Sequence, residues 1–127
     1  MEHLVIRTGI IGLQDKGNGH PFSFSSIING YSVSGYKLSN YKLILNYLKK
    51  KKKKDFKIKN VKVTHAWTQN PKITKILCKA SKIKHPVKNY IDMIDKIDAL
   101  IIARDDMHYE ISKPFLIRKI PVFIDKP

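Results

Sequence analysis

The chain has 127 residues, 25 of them basic and 10 acidic, for a formal net charge of +15. With 43% hydrophobic and 28% charged residues, that length supports one globular domain around a single core. No apolar run approaches the roughly 18 residues of a membrane span, Met1-Glu2-His3 does not open a signal peptide, and one cysteine, Cys78, excludes an internal disulfide and a metal cluster. A soluble protein of the reducing cytoplasm is the expectation.

Leu4 to Ile11 is a short apolar run closed by Gly12, the pattern of a buried central strand. A glycine-rich loop, Leu13 to His20, follows. Pro21 suits the first position of a helix, Phe22, Phe24, Ile27 and Ile28 give it an apolar face, and Gly30 can close it. Tyr31 to Leu38 reads as loop. Ser39 or Asn40 is placed to cap a second helix, with Tyr41, Leu43, Ile44, Tyr47 and Leu48 packing inward. Six lysines, Lys49 to Lys54, would extend its end, where positive charge suits the dipole.

Val61 to Thr68 is β-branched and aromatic, a second strand. Asn70-Pro71 then stand in cap and first-position order before a helix carrying Ile73, Ile76, Leu77, Cys78 and Ala80. Pro86 to Lys88 is at most a short strand. Tyr90, Ile91, Ile94 and Ile97 mark a short helix. Ala99 to Ala103 is a fully buried strand. Met107 to Lys119 reads as a helix bent by Pro114, and Pro121 to Ile124 as a last short buried strand. Continuous apolar strands alternating with helices imply a doubly wound α/β domain with five parallel strands.

In such sheets ligands bind beyond the carboxyl ends of the strands. Four segments end there: Gly12 to His20, Thr68 to Asn70, Arg104 to Asp106, and Asp125-Lys126. The first is glycine-rich and precedes a helix, whose N-terminus attracts phosphate. Against the dinucleotide pattern G-x-G-x-x-G, Gly12, Leu13, Gln14 and Gly17 put a side chain, Gln14, where the second glycine belongs. Gly17-Asn18-Gly19 offers a longer alternative loop. After the second strand, Thr68-Gln69 supplies no carboxylate for ribose hydroxyls, and Lys72 nearby reads first as a helix-surface lysine and only second as a partner for a 2′-phosphate. His20 and His108 each follow a strand and open a helix, where an imidazole can move a proton. His3, His65 and His85 carry no pattern, and no histidine pair has zinc-site spacing.

The charge has two readings. Nearly all of it is lysine; only Arg7, Arg104 and Arg118 are arginine, the residue phosphate and base readers favour. Abundant lysine, isoleucine and asparagine point to an AT-rich coding sequence, with surface positions drifting to lysine. Lys49 to Lys54 is the argument for an anionic partner; a nucleic-acid function ranks below the alternatives.

Taken together, "GIIG" at Gly9 to Gly12, "GNGHPFSFSSIINGY" at Gly17 to Tyr31, "HAWTQNPKITKILCKASKI" at His65 to Ile83, "DALIIARDDMHYEISKPFL" at Asp98 to Leu116 and the closing "PVFIDKP" resemble the N-terminal domain of the Gfo/Idh/MocA oxidoreductases. The resemblance covers nearly the whole chain apart from about residues 32–59. It implies an NAD- or NADP-binding Rossmann-like domain over residues 1–127, of an enzyme acting on sugars or polyols. It implies a cofactor site of Gly12, Leu13, Gln14, Gly17, Thr68, Arg104, Asp125 and Lys126, with His20 and His108 toward substrate. Asp125-Lys126-Pro127 takes the place of the family's Glu-Lys-Pro, whose lysine has a catalytic or orienting role, so Lys126 inherits it. The family chain continues into a substrate-binding domain that these residues lack. A truncated, catalytically incomplete half, completed by a partner chain or a homo-oligomer, is the expectation. The competing readings are a degenerate Rossmann domain serving as an interaction module without cofactor, and a basic polyanion-binding protein.

Overall fold

A computed structural model describes residues 4–12 and 19–125. Five strands form one parallel sheet: β1 (Ile6–Ile11), β2 (Val61–Trp67), β3 (His85–Pro86), β4 (Ala99–Ile102) and β5 (Val122–Ile124), in the order β3-β2-β1-β4-β5. The chain builds outward from β1 in one direction, then crosses back to build in the other. The order therefore reverses between β1 and β4, which makes that junction the topological switch point.

Helices α1 (His20–Asn29), α2 (Val33–Tyr36), α3 (Lys42–Lys49) and α4 (Pro71–Ala80) occur between β1 and β3. Their inward residues Phe22, Tyr36, Leu45, Leu48 and Leu77 share one cluster with Ile10, Val63 and Ala66. On the other side, α5 (His108–Ile117) and a single 3-10 turn at Tyr90–Met93 cover Ile11, Leu100 and Ile102 through Met93, Ile111 and Phe115. Each fully buried leucine or phenylalanine contributes about 1.5–3 kcal/mol from burial. Two separate apolar clusters, one on each face, are what a covered parallel sheet requires.

Local signals held where backbone chemistry dictates them. The Asn70 side chain accepts from the N–H groups of Lys72 (3.0 Å) and Ile73 (3.4 Å), capping α4 ahead of Pro71. Gly30 ends α1 at φ 90. Cys78 lies buried on the inner face of α4.

Several elements differ from expectation. Residues 31–38 are not all loop: Val33–Tyr36 form α2, started by Ser32, whose hydroxyl accepts from the Gly35 N–H at 3.2 Å. A Cβ on Gly35 would lie 2.6 Å from the Ala80 nitrogen, so the glycine is what lets α2 rest on the end of α4. Helix α3 starts after Tyr41 with no side-chain cap; Ser39 instead receives the Tyr41 N–H. Its inner positions are Leu45 and Leu48, while Leu43 (84% exposed) and Tyr47 point outward. The lysine run does not prolong it: the helix ends at Lys49, and Lys53–Asp55 make a separate 3-10 turn. The short helix of the Tyr90 region is that 3-10 turn of four residues. Strand β1 starts at Ile6, leaving Leu4 exposed. β5 is paired to β4 at the edge of the sheet and exposes Phe123 and Ile124, which point to opposite faces.

The register of β2 carries one irregularity. Thr8 pairs with Val63, but the next residue, Gly9, pairs with His65. Thr64 is therefore the extra residue of a β-bulge, and side-chain alternation restarts beyond it. Val63 and Ala66 consequently face the same cluster, while Trp67 joins the opposite one. Just before the bulge, β3 has not begun, and the Asn29 side chain pairs with both backbone groups of Val63 at 2.9 Å. That amide closes a stretch of strand edge that would otherwise bury unpaired N–H and C=O groups.

Candidate functional site

The carboxyl ends of β1, β2, β4 and β5 form one rim. Gly12 leaves β1 and donates its N–H to the Trp67 carbonyl (3.0 Å). A Cβ there would sit 2.2 Å from Pro21 Cγ and 3.1 Å from the Ala103 oxygen. Gly12 thus lies in close approach to the residue that follows β4 and to the start of α1, with no room for a side chain. Helix α1 opens at Gly19 with no side-chain cap and no acidic residue in its first turn. Its positive end faces the rim uncompensated from within the helix, which suits an anion.

His20 is the first residue of α1. Its Nδ1–H donates to Asp125 Oδ2, and its ring lies 5.1 Å from that of Phe24. Asp125 follows β5 and is held by its own N–H to the Ile102 carbonyl (2.9 Å). Its carboxylate is 12% exposed, against 33% for the imidazole. The first helix and last strand are therefore joined beside the switch point by a carboxylate-oriented imidazole, an arrangement competent to hold or move a proton.

Arg104 follows β4 with its side chain 5% exposed. Nε and Nη2 donate to the two oxygens of Asp106 (2.6 and 3.2 Å), and Nη1 to Gln69 Oε1 (3.2 Å). The guanidinium carbon stands 5.9 Å from the Trp67 ring centre. The side chain reaches from the end of β4 past β1 to the end of β2, bridging the switch point. His108, first in α5, donates Nε2–H to the Arg104 carbonyl, after Met107 turns the chain in the left-handed region at φ 58. That bond holds the arginine's backbone as Asp106 holds its fork.

Thr68 is 2% exposed. Its hydroxyl donates to the Asn70 carbonyl (2.7 Å) and lies 2.8 Å from the Thr74 hydroxyl, so it stitches the turn into α4. No carboxylate belongs to the Thr68–Asn70 turn, whose exposed residues are Gln69 and Asn70. The structure thus brings Gly12, His20, Arg104, His108 and Asp125 to one rim and places Thr68 at its β2 side. Leu13, Gln14, Gly17 and Lys126 lie outside the described residues. Sequence reading did not find the His20–Asp125 pair or the roles of Gln69, Asp106 and Trp67. The signal was present: all lie in or beside the segments that end at the rim, but pairing depends on strand order.

Among the described residues no group of three or more histidine, cysteine or carboxylate side chains could hold a metal ion, and no helix is long and apolar enough to cross a membrane.

No protein-family model matches the sequence, and no curated protein does. Solved structures do. Apo scyllo-inositol dehydrogenase from Lactobacillus casei superposes with a TM-score of 0.62 at 18% identity, over 100% of this chain and 30% of its own. The same enzyme with bound NAD(H) and scyllo-inositol gives 0.61 at 20% identity, over 97% and 28%. Myo-inositol 2-dehydrogenase from Lactobacillus plantarum gives 0.60 at 21% identity, over 97% and 28%. The chain spans about 30% of the length of such neighbours. At these identities the likeness is one of fold: the chain has a Rossmann-like doubly wound α/β fold that it shares with a part of each of these dehydrogenases.

Proposed function

We propose that residues 1–127 are the NAD(P)-binding domain of an oxidoreductase acting on a sugar or polyol. The observation that carries this reading is the convergence of Gly12, the open N-terminus of α1, Arg104 and the His20–Asp125 pair at the switch point of the sheet. It is supported by the shared fold of a neighbour that binds NAD(H) and scyllo-inositol. The pyrophosphate would lie against the start of α1. Arg104 and Thr68 would border the cofactor on the β2 side. His20 and His108 would face substrate, and Lys126, next to Asp125, would orient it. The bound nicotinamide supplies the hydride chemistry; the chain's own residues bind, orient and hold protons.

Hydride transfer needs donor and acceptor carbons held near contact with water excluded. One rim supplies one wall only, so these residues bind cofactor and turn over substrate weakly or not at all unless a second wall is supplied by further chain, a partner or a second copy. Titration with NADH and NADPH, read by Trp67 fluorescence, tests the binding claim. Saturable quenching supports it, and flat titrations with both cofactors overturn it. A polyol panel with NAD(P)+ tests incompleteness, which brisk turnover by this chain alone overturns.

One observation favours a second reading, a cofactor-free interaction module. Arg104 is already engaged by Asp106 and Gln69, Thr68 is spent within its turn, and no acid stands after β2. An apolar groove of about 270 Å³ between Phe24, Ile27, Ile101 and Phe123 adds to it. The same titrations decide between the two readings.

A further inference from the structure

The β-bulge at Thr64 has a chemical consequence. By restarting the alternation it turns His65 away from the Val63 side of the sheet, toward the layer that holds Trp67. There His65 lines a cleft of about 500 Å³ with Arg7, Thr64, His85, Pro86, Val87 and Lys96. His65 is 8% exposed, its ring stacked on that of His85 across the β2–β3 pairing at 4.7 Å. Its Nδ1 lies 2.7 Å from the Thr64 hydroxyl.

Every ionisable side chain lining the cleft is a base, and none is a carboxylate. Asp98 pairs with the lining residue Arg7: it accepts from Nε (3.1 Å), Nη2 (3.0 Å) and the Arg7 N–H (2.9 Å). Lys96 stands exposed at the mouth. Burial first, then the charges of His85, Lys96 and Arg7, push His65 down to about 4. With Arg7 paired to Asp98, Lys96 is the remaining cationic lining residue, and a cation would meet it at like charge.

We propose that this cleft binds a small tetrahedral oxyanion, a phosphate or sulfate group, between Lys96 and the His65–His85 pair. A bound anion favours the charged form of an adjacent imidazole, so the site takes up a proton with its ligand and tightens as pH falls. The site shares no residue with the rim and does not depend on cofactor binding there.

The histidine ring proton resonances of the full chain, followed by NMR, provide the test. Sulfate, whose charge is constant between pH 5.5 and 8, is titrated at both pH values against chloride at equal ionic strength. The expected result is a saturable shift of His65 and His85 together, stronger at pH 5.5, and weakened about tenfold by Lys96→Ala, a surface change whose spectrum reports its own folding. Inorganic phosphate and glycerol phosphate then separate the free ion from an esterified group; tighter binding of either supports the site and identifies its source. Shifts no larger with sulfate than with chloride overturn the proposal. So does a sulfate-silent cleft whose histidines respond to micromolar zinc, which would make the stacked pair a metal site.

Discussion

The imidazole of His20 donates to the carboxylate of Asp125 across 105 residues of chain. One is the first residue of the first helix and the other follows the last strand. They meet because β1 and β5 flank β4 in a parallel sheet, so the carboxyl ends of both strands lie on the same rim. Asp125→Asn removes the charge from this pair while keeping its shape. Hydrogen bonds to charged groups are worth about 1.5–3 kcal/mol when buried, and partial exposure reduces that to about 1 kcal/mol here. Urea midpoints for Asp125→Asn, His20→Gln and the double variant should give a coupling energy above about 0.5 kcal/mol. Additive effects would mean that the contact contributes nothing.

Gly35 sits against the backbone of Ala80, which cannot step aside as a side-chain tip could. Gly35→Ala therefore must move α2 off α4, at a cost of about 1–3 kcal/mol by the usual scale of overpacking. A lowered denaturation midpoint is the expected outcome. An unchanged or raised midpoint would show that helix propensity outweighs the clash.

His65 makes stability depend on pH in a defined window. Its folded value of about 4 lies below the ordinary 6.5. Between those values the unfolded chain binds the proton and the folded one does not, so stability rises with pH. The contribution is complete above pH 6.5 and is lost as pH falls to 4, on the order of 2 kcal/mol. Asp98 is shifted in the same direction, held below its ordinary 3.8 chiefly by the Arg7 side-chain hydrogen bond, so its own loss on acidification comes at still lower pH. Urea denaturation at half-unit steps from pH 4 to 7 should show the slope in the native chain, and His65→Phe should flatten it.

Cys78 is buried and its thiol is pushed up to about 12 by burial. The thiolate is the reactive form, so the native chain should resist iodoacetamide and disulfide reagents at pH 8. Reaction should become stoichiometric in denaturant. Rapid labelling of the folded protein would place the residue elsewhere than the inner face of α4.

Much of the architecture was legible because it is local. The apolar runs at Ile6–Ile11 and Ala99–Ile102, the Asn70-Pro71 cap and Gly30 each act through neighbours in the chain, so residue type alone reveals them. Helix α3 misled because tyrosine and leucine can face water at modest cost, so Leu43 and Tyr47 mimicked an inner stripe that Leu45 and Leu48 form. Helix α2 was hidden because its reason for existing is Ala80, 45 positions away.

By itself the sequence determined that this is a parallel α/β sheet with ligand-facing ends, since alternation of apolar strands and capped helices is a short-range code. Only the tertiary structure decided which of those ends touch. The pairing of His20 with Asp125, the bridging of β2 by Arg104 and the one-residue bulge that re-aims His65 follow from strand order and register. Those are set by packing free energy summed over both faces of the sheet, to which no single stretch of residues holds the key.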